Sequence, residues 1–416
     1  MKRINSNDVS QLSRELSSID IQQMLLARAK NSVLEMALDL LEQDMERLCG
    51  KPFGRKLEGL CHRGGSEKTS IMCDGALHSM RRPRARNESG EVFLPSLAKL
   101  RDRDLLDSQM QARMVRGVST RNYEEVISGF AEKTGISKSS VSRAFKRSSQ
   151  KDLEEINSSD LSQLRFVAIL IDGTNIGGRM VVVAIGITDD CQKVPLGLKE
   201  GDTENAAVVK DLLTGLTARG FTFKTSRLLA MLDGGKALRA AVLALWGNTV
   251  LVQRCWLHKA RNLEGYLPKT NHAQMWRRMK KMMGLNSRLA AEAEFKSLAN
   301  WLRTISDDAE RSLLEAKGEL LTVHDLGVTG EFRNALSTTN AIESLIGVSK
   351  AKLKNVKNWG YHPKTGDKVP RNKSMRWVAT AIQTHRSKMR RLRGGKVQMK
   401  TLINNLSVLD SGRKTA

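Results

Sequence analysis

Two short apolar segments, each ending in an aspartate and a glycine, constrain the fold of this chain most. The first reads FVAILIDG from residue 166, and the second reads LLAMLDGG from residue 228. An apolar run this short predicts a strand that is buried on both faces of a sheet. Open α/β sheets bind ligands at the carboxyl ends of their strands, so Asp172 and Asp233 are expected at one sheet edge. For either segment alone, a structural Asp-Gly turn is the alternative interpretation.

The pattern around these segments predicts an α/β domain. The further elements expected are strands at 179–187 and 193–198, a helix at about 204–219, a helix at 236–245 and a strand at 249–253. Three strands in a meander, then helix, strand, helix and strand, is the element order of a ribonuclease-H-like domain. Residues 257–330 lack a strand pattern, which predicts an all-helical insertion. Its expected core residues are Trp276, Met279, Met282 and Met283.

The charge of the chain indicates its class of partner. Lysine and arginine number 69 against 44 acidic residues, which gives a formal net charge of +25 and a pI of about 10.1. A surplus of this size predicts a polyanionic partner, with double-stranded DNA as the first candidate. The sequence has no run of about 18 apolar residues and no signal-peptide core at its start. We therefore expect a cytoplasmic protein without a membrane span.

Residues 1–100 are expected to form a helical and basic-arm DNA-binding region. Apolar residues recur at helical spacing up to about residue 50, and four arginines cluster between residues 80 and 86. This cluster predicts an extended arm that contacts DNA phosphates, and a solvated loop is the alternative. Its arginines are Arg81, Arg82, Arg84 and Arg86.

Residues 101–150 are predicted to form a helix-turn-helix domain. One helix is expected at 120–133, followed by a glycine turn at 134–136 and a basic, serine-rich helix at 138–147. Helix, glycine turn and basic helix is the pattern of a DNA-binding motif with its recognition helix second. An ordinary helical hairpin is the alternative. The outward-facing DNA contacts would be Lys138, Ser139, Ser142, Arg143 and Lys146.

A polar linker is predicted at 148–160, and the α/β domain is expected to occupy 160–416 and to end in a basic tail. Within this domain, a late helix is predicted at 338–357. Ser337 or Thr338 can cap that helix at its start.

The late helix carries the third acidic residue of interest. Asn340 and Glu343, at positions i and i+3, share one face of the helix. Together with Asp172 and Asp233, Glu343 supplies the minimum set of carboxylates for a site that holds two divalent ions. Hard oxygen ligands suit Mg²⁺ or Mn²⁺. A phosphate-binding stripe of lysines is expected downstream at Lys350, Lys352, Lys354 and Lys357.

From about residue 30 to 395, the chain resembles bacterial insertion-sequence transposases of the IS256 family, which are related to the eukaryotic Mutator-type transposases. The motifs that carry the resemblance are Asp172-Gly, Asp233-Gly-Gly, QRCWLHKARN at 253–262, TTNAIES at 338–344, Asn358-Trp359 and Arg376-Trp377. The resemblance implies a catalytic triad of Asp172, Asp233 and Glu343, with an all-helical insertion before the glutamate. Asp233 and Glu343 are 110 positions apart, which leaves room for it.

The family also carries a cysteine and, three positions later, a histidine, which Cys255 and His258 match. Two ligands rarely complete a zinc site, so the expected role of this pair is to support the triad. The resemblance implies a nucleoid-associated enzyme that cleaves at the terminal inverted repeats of its own element and joins them to target DNA as a homodimer or larger assembly. A catalytically silent DNA-binding regulator and a ribonuclease-H-like nuclease are the alternatives.

Overall fold

The computed structural model describes residues 18–52, 61–73, 76–101, 111–112, 114–116, 138–201, 206–353, 356, 372–392 and 394–408. The chain divides into two compact units, residues 1–148 and 149–416. Each unit is described by itself.

The first unit combines a long helix with a small antiparallel sheet. Its elements are α1 (Ser18–Cys49), β1 (His62–Cys73), β2 (Ala76–Asn87), β3 (Gly90–Val92) and α2 (Pro95–Leu100). The sheet has the order β1-β2-β3. One face of α1 supplies Ala37, Leu41 and Met45, which pack against the buried side chains of Ile71 and Leu94. The expectation of a helix up to about residue 50 therefore agrees with the structure.

The expectation of an extended arginine arm at 80–86 is wrong, because these residues form part of β2. Arg82 is buried, and its Nη2 lies 2.8 Å from Glu67 Oε2 and 2.6 Å from Glu91 Oε1. Arg84 is also paired with Glu91, at 2.6 Å. Opposite charges on neighbouring strands stabilise each other, and this pairing draws the arginines into the sheet. Arg81 and Arg86 are exposed, so their contact with phosphates stays a prediction.

The proposed recognition helix is present but longer than expected. Helix α3 runs over Lys138–Ser158, so the predicted linker at 148–160 is wrong. Leu153 and Ile156 continue the buried face of the helix, which explains why it does not stop after Arg147. Val141, Ala144 and Phe145 are buried, and Ser142, Arg143 and Lys146 are exposed as expected. The predicted first helix and turn at 120–136, and the side chains of Lys138 and Ser139, lie outside the described residues.

The second unit is built on a five-stranded mixed sheet with the order β6-β5-β4-β7-β8. Its strands are β4 (Phe166–Ile176), β5 (Arg179–Thr188), β6 (Lys193–Gly201), β7 (Leu228–Leu232) and β8 (Val250–Arg254), and α4 (Ala206–Ala218) and α5 (Lys236–Trp246) connect them. Strands β4, β5 and β6 are antiparallel, whereas β7 and β8 run parallel to β4. This mixed α/β arrangement is compatible with the predicted ribonuclease-H-like order.

The sheet is buried on both faces, as the unbroken apolar runs predict. Phe166 is fully buried and stacks on Phe221 with their ring centroids 4.6 Å apart. Gly186 faces that ring so closely that a Cβ would lie 2.5 Å from Phe166 Cε1. Replacing Phe166 with alanine would leave a cavity costing about 3–5 kcal/mol of unfolding free energy.

Six helices follow β8 and form the predicted helical insertion. They are α6 (Trp256–Glu264), α7 (Lys269–Gly284), α8 (Arg288–Arg303), α9 (Asp307–Glu315), α10 (Lys317–Leu320) and α11 (Thr322–Asp325). Met279, Met282 and Met283 are buried as expected, and Met275 joins them. Trp276 is only half-buried. Its indole Nε1 donates a hydrogen bond to Glu264 Oε1 at 2.6 Å, and this bond holds the ring near the surface.

The insertion returns to the sheet beside the strand from which it departs. Gln253, fully buried at the end of β8, donates from Nε2 to the carbonyl oxygens of Arg254 at 2.8 Å and Leu320 at 2.9 Å. Its Oε1 accepts a hydrogen bond from the amide of Val323 at 3.0 Å. The hydroxyl of Thr322 donates to the Val252 carbonyl at 2.6 Å. These bonds fix both ends of the insertion against β8.

Four further helices complete the described part of this unit: α12 (Gly330–Leu336), α13 (Asn340–Leu353), α14 (Lys373–Arg386) and α15 (Gly395–Ser407). Helix α13 packs against β4 and β5, and α14 packs against α13 and against β5 and β6. In the residues that the structure describes, no helix is long and apolar enough to cross a membrane.

Candidate active site

Asp172 and Asp233 lie side by side because their strands are paired in register. Ile171 pairs with Leu232, so the aspartate that follows each of them occupies the same level of the sheet. Neighbouring strands are about 4.8 Å apart. Strand β4 itself continues beyond Asp172, paired with β5, and turns back through Gly177 and Gly178, whose φ angles are +62° and +77°. Asp172 is therefore held within a hairpin, whereas Asp233 follows the last residue of β7.

Cys255 occupies the same level on the third parallel strand. Leu232 pairs with Arg254, and the amide of Cys255 donates to the Leu232 carbonyl at 2.7 Å. The thiol of Cys255 is completely buried. Asp172, Asp233 and Cys255 thus form a row across three neighbouring parallel strands.

Glu343 reaches this row from the first turn of α13. Thr339, which directly precedes α13, accepts the amide of Glu343 at its carbonyl and donates from its hydroxyl to Glu343 Oε1 at 3.3 Å. The expected caps are wrong, because Ser337 and Thr338 instead bond to the carbonyl of Asn334 at 3.1 and 3.3 Å. Helix α12 ends at Leu336, and the two hydroxyls supply donors to a carbonyl of its last turn, which lacks a partner within the helix. Asn340 is exposed at the start of α13.

His258 lies between Thr339 and Glu343. Its Nδ1 is 3.3 Å from Thr339 Oγ1, and its Nε2 is 3.7 Å from Glu343 Oε1. The sulfur of Cys255 accepts a hydrogen bond from the amide of Thr339 at 3.4 Å. It also lies 3.5 Å from the Thr339 hydroxyl, whose single proton has Glu343 Oε1 as its other acceptor. One ligand atom from each of Cys255, His258 and Glu343 lies within 4.8 Å of the others.

Arg261 binds both oxygens of the Glu343 carboxylate. Its Nη1 is 3.3 Å from both carboxylate oxygens, and its Nη2 is 3.2 Å from Oε2. Three positions separate Arg261 from His258, so α6 presents both on one face. Sequence reasoning missed Arg261 and Thr339 as site residues. Both belong to the quoted motifs. Arg261 could have been found from its helical spacing to His258, and Thr339 from its position directly before Asn340.

The electrostatics of the site are unusual. Burial and the nearby charge of Asp233 raise the pKa of Asp172 to about 7. The hydrogen bond with Cys255 and the negative charges of Cys255, Asp172 and Glu343 raise the pKa of His258 to about 9. Burial acts to raise the pKa of Cys255, but hydrogen bonds from His258 and Thr339 outweigh it, and that pKa is lowered. The site concentrates negative charge that it only partly neutralises.

Asp172 and Asp233 each present a carboxylate oxygen that could hold a divalent cation. Asp172 Oδ1 accepts the Gly173 amide at 2.9 Å, and Asp233 Oδ1 accepts the Gly235 amide at 2.7 Å. Within the described part of the chain, the other oxygen of each aspartate has no hydrogen-bond partner. A cation there would relieve the repulsion that raises the pKa of Asp172. Oxygen donors of this kind suit Mg²⁺ or Mn²⁺.

The cluster of Cys255, His258 and Glu343 has the ligand number of a catalytic zinc site. Its sulfur, however, already accepts a hydrogen bond from the Thr339 amide. The lysine stripe after Glu343 is described only in part. Lys350 is exposed, whereas the side chain of Lys352 and the residues Lys354 and Lys357 lie outside the described residues.

Comparison with known proteins places this chain among transposases. The sequence model described as "Transposase, Mutator family" matches residues 4–364. A transposase for insertion sequence element IST2 of Acidithiobacillus ferrooxidans is 29% identical over 178 residues, which are 43% of this chain and 58% of that relative. The chain thus spans less than two thirds of this relative's length.

Two further relatives match over longer stretches. The transposase for IS6120 of Mycolicibacterium smegmatis is 25% identical over 260 residues, 59% of this chain and 76% of the relative. The transposase for IS905 of Lactococcus lactis is 24% identical over 351 residues, 81% of this chain and 86% of the relative. With the family model matching most of its length, the chain belongs to the Mutator family of transposases.

Proposed function

We propose that the protein is a DDE transposase that cleaves DNA at the ends of its own element and joins the resulting 3′-OH groups to target DNA. The observation that carries the proposal is the register of β4 and β7, which brings Asp172 and Asp233 together beside Glu343. The sequence separates these three carboxylates by 61 and 110 positions, so their meeting depends on the fold.

Asp172, Asp233 and Glu343 would hold two Mg²⁺ or Mn²⁺ ions. When bound, such ions activate a water or a 3′-OH and stabilise the leaving oxygen of an in-line displacement. Thr339, His258 and the backbone amides of Gly173 and Gly235 orient the carboxylates. Arg261 and His258 place positive charge next to Glu343, where a DNA phosphate would also lie.

The net charge of +25 supports DNA as the substrate. Joining both ends of an element needs two active sites, so we expect a homodimer or a larger assembly on terminal inverted repeats. A DNA-binding regulator without catalysis is the second candidate, but the presence of all three carboxylates favours the enzyme.

The test is strand cleavage by Asp172→Asn, Asp233→Asn and Glu343→Gln on a labelled element end with Mg²⁺ or Mn²⁺. We expect each variant to lose cleavage and to keep DNA binding in a mobility-shift assay, because affinity comes from basic residues elsewhere. Asp211→Asn, the same change at an exposed position of α4, should cleave normally. Near-normal cleavage by a triad variant would remove that residue from the site. Binding without cleavage by the wild type would support the regulator.

A further inference from the structure

A basic cavity of about 310 Å³ lies at the edge of the sheet opposite to the carboxylates. Lys193 begins β6 and pairs with Ile187 near the end of β5. The last residue of β5, Thr188, pairs with Phe166, the first residue of β4. Asp172 lies six positions after Phe166 along β4, which is about 20 Å of strand. The cavity is therefore separate from the candidate active site. Its lining residues are Gln192, Lys193, Val194, Arg386, Met389 and Arg391.

The cations of this cavity are only weakly neutralised. Arg391 Nη2 lies 3.3 Å from Asp190, and Arg386 Nη1 lies 3.1 Å from Glu155, but all four side chains are about half exposed or more. Ion pairs of this kind contribute little and exchange readily. Lys193 is half-buried and has no carboxylate partner among the residues that the structure describes. Burial lowers the pKa of Lys193, which an incoming anion would reverse.

The segment that carries the two arginines is held in place. The amide of Leu392 donates to the Cys191 carbonyl at 3.0 Å, and the Leu392 side chain is buried. Gly395 approaches Cys191 so closely that a Cβ there would lie 2.6 Å from its sulfur. The segment is thus fixed on the turn between β5 and β6. Three further cations of the same segment, Lys388, Arg390 and Lys396, are exposed.

We propose that this cavity binds a backbone phosphate of duplex DNA, as a second DNA contact about 20 Å or more from the carboxylates. The choice of DNA rests on the proposed function; the preference for a phosphate rests on the cavity itself. Arginine and lysine contacts of this kind add affinity without sequence preference. The cavity would hold DNA that flanks the reacting strand.

The test measures DNA affinity against salt for the double variant Lys193→Gln/Arg391→Gln in the full chain, using fluorescence anisotropy with a random-sequence duplex. Each lost phosphate contact lowers the slope of log K against log salt by about 0.9. Because the proposal is for one phosphate, we expect a decrease of about 0.9 in the magnitude of that slope. The control Lys210→Gln/Lys269→Gln removes the same charge from exposed positions elsewhere in the unit and should change the slope less. Equal losses in both double variants would overturn the proposal.

A second measurement separates DNA from small anions and does not depend on variant folding. Acylation of lysines, mapped by mass spectrometry, should show Lys193 protected by duplex DNA and not by inorganic phosphate at the same phosphate concentration. Protection by inorganic phosphate alone would indicate a small-anion site and overturn the proposal. Cleavage of element ends is scored separately. If the protein cleaves element ends but the double variant keeps the wild-type salt slope and DNA does not protect Lys193, only this inference is contradicted. If the slope decreases and DNA protects Lys193 but no cleavage occurs, only the proposed function is contradicted.

Discussion

The hydroxyl oxygen of Thr339 lies 3.3 Å from Nδ1 of His258. The same hydroxyl is 3.3 Å from Glu343 Oε1 and 3.5 Å from the sulfur of Cys255. A single buried side chain therefore contacts the candidate catalytic glutamate and both residues of the cysteine–histidine pair. It fixes the position of Glu343 without being acidic itself.

Replacing Thr339 with valine removes this hydroxyl and keeps the shape of the side chain. We expect cleavage to fall by about 10- to 100-fold, the range seen when a group that orients a ligand is lost. Thr339→Ser keeps the hydroxyl and should retain most of the activity. DNA binding, measured by mobility shift, should match the wild type in both variants. Equal activity of the valine and serine variants would show that the hydroxyl does not orient Glu343.

Cys255 and His258 are predicted to support the carboxylates and not to hold zinc. Purified protein should then contain no stoichiometric zinc by elemental analysis. Cys255→Ser should keep its fold and much of its activity, because a serine oxygen can still accept the hydrogen bond from the Thr339 amide. His258→Ala should lose more activity, since it removes a cation next to Glu343. About one zinc per chain in the wild type, lost in Cys255→Ser, would contradict this prediction.

His324 should make the second unit sensitive to mild acid. It is buried in α11, and burial together with the charges of Arg333 and Arg288 lowers its pKa to about 4. The unfolded chain binds a proton near the ordinary pKa of about 6.5, which the folded chain does not. The free energy of unfolding should therefore fall as pH decreases from about 6.5 to about 4, by at most about 1.4 kcal/mol per pH unit.

Urea unfolding of the wild type and of His324→Leu at about pH 7 and about pH 5 measures this dependence. The wild type should lose more stability between these pH values than the variant, which has no group to protonate at that position. If both lose the same amount, His324 is not the cause of the acid sensitivity.

Local pattern was sufficient to predict the sheet. The unbroken apolar runs before Asp172 and Asp233 identify buried strands, and their carboxyl ends then have to share one edge. The helical insertion follows from the absence of any strand pattern over a long stretch. These predictions depend on neighbours in sequence, where the pattern carries the information.

The errors arise where distant partners decide the structure. The arginines at 80–86 look solvated until Glu67 and Glu91 are placed on the strands beside them. The serine-rich start of 148–160 resembles a linker, yet Leu153 and Ile156 have partners that keep the helix buried. The contacts of Thr339 with Cys255 and His258 join residues more than 80 positions apart, which no local pattern encodes.

Gln253 ties the two ends of the helical insertion together, so that the insertion forms a closed loop. Its amide joins the point where the chain departs from the sheet to Leu320 and Val323, where the chain comes back. The entropy cost of closing such a loop grows only with the logarithm of its length. Loop closure alone therefore sets little limit on the number of residues between these points. The outer surfaces of α7, α8 and α9 can therefore diverge independently of the carboxylates, whereas α6 has to keep its place because it carries His258 and Arg261 beside Glu343.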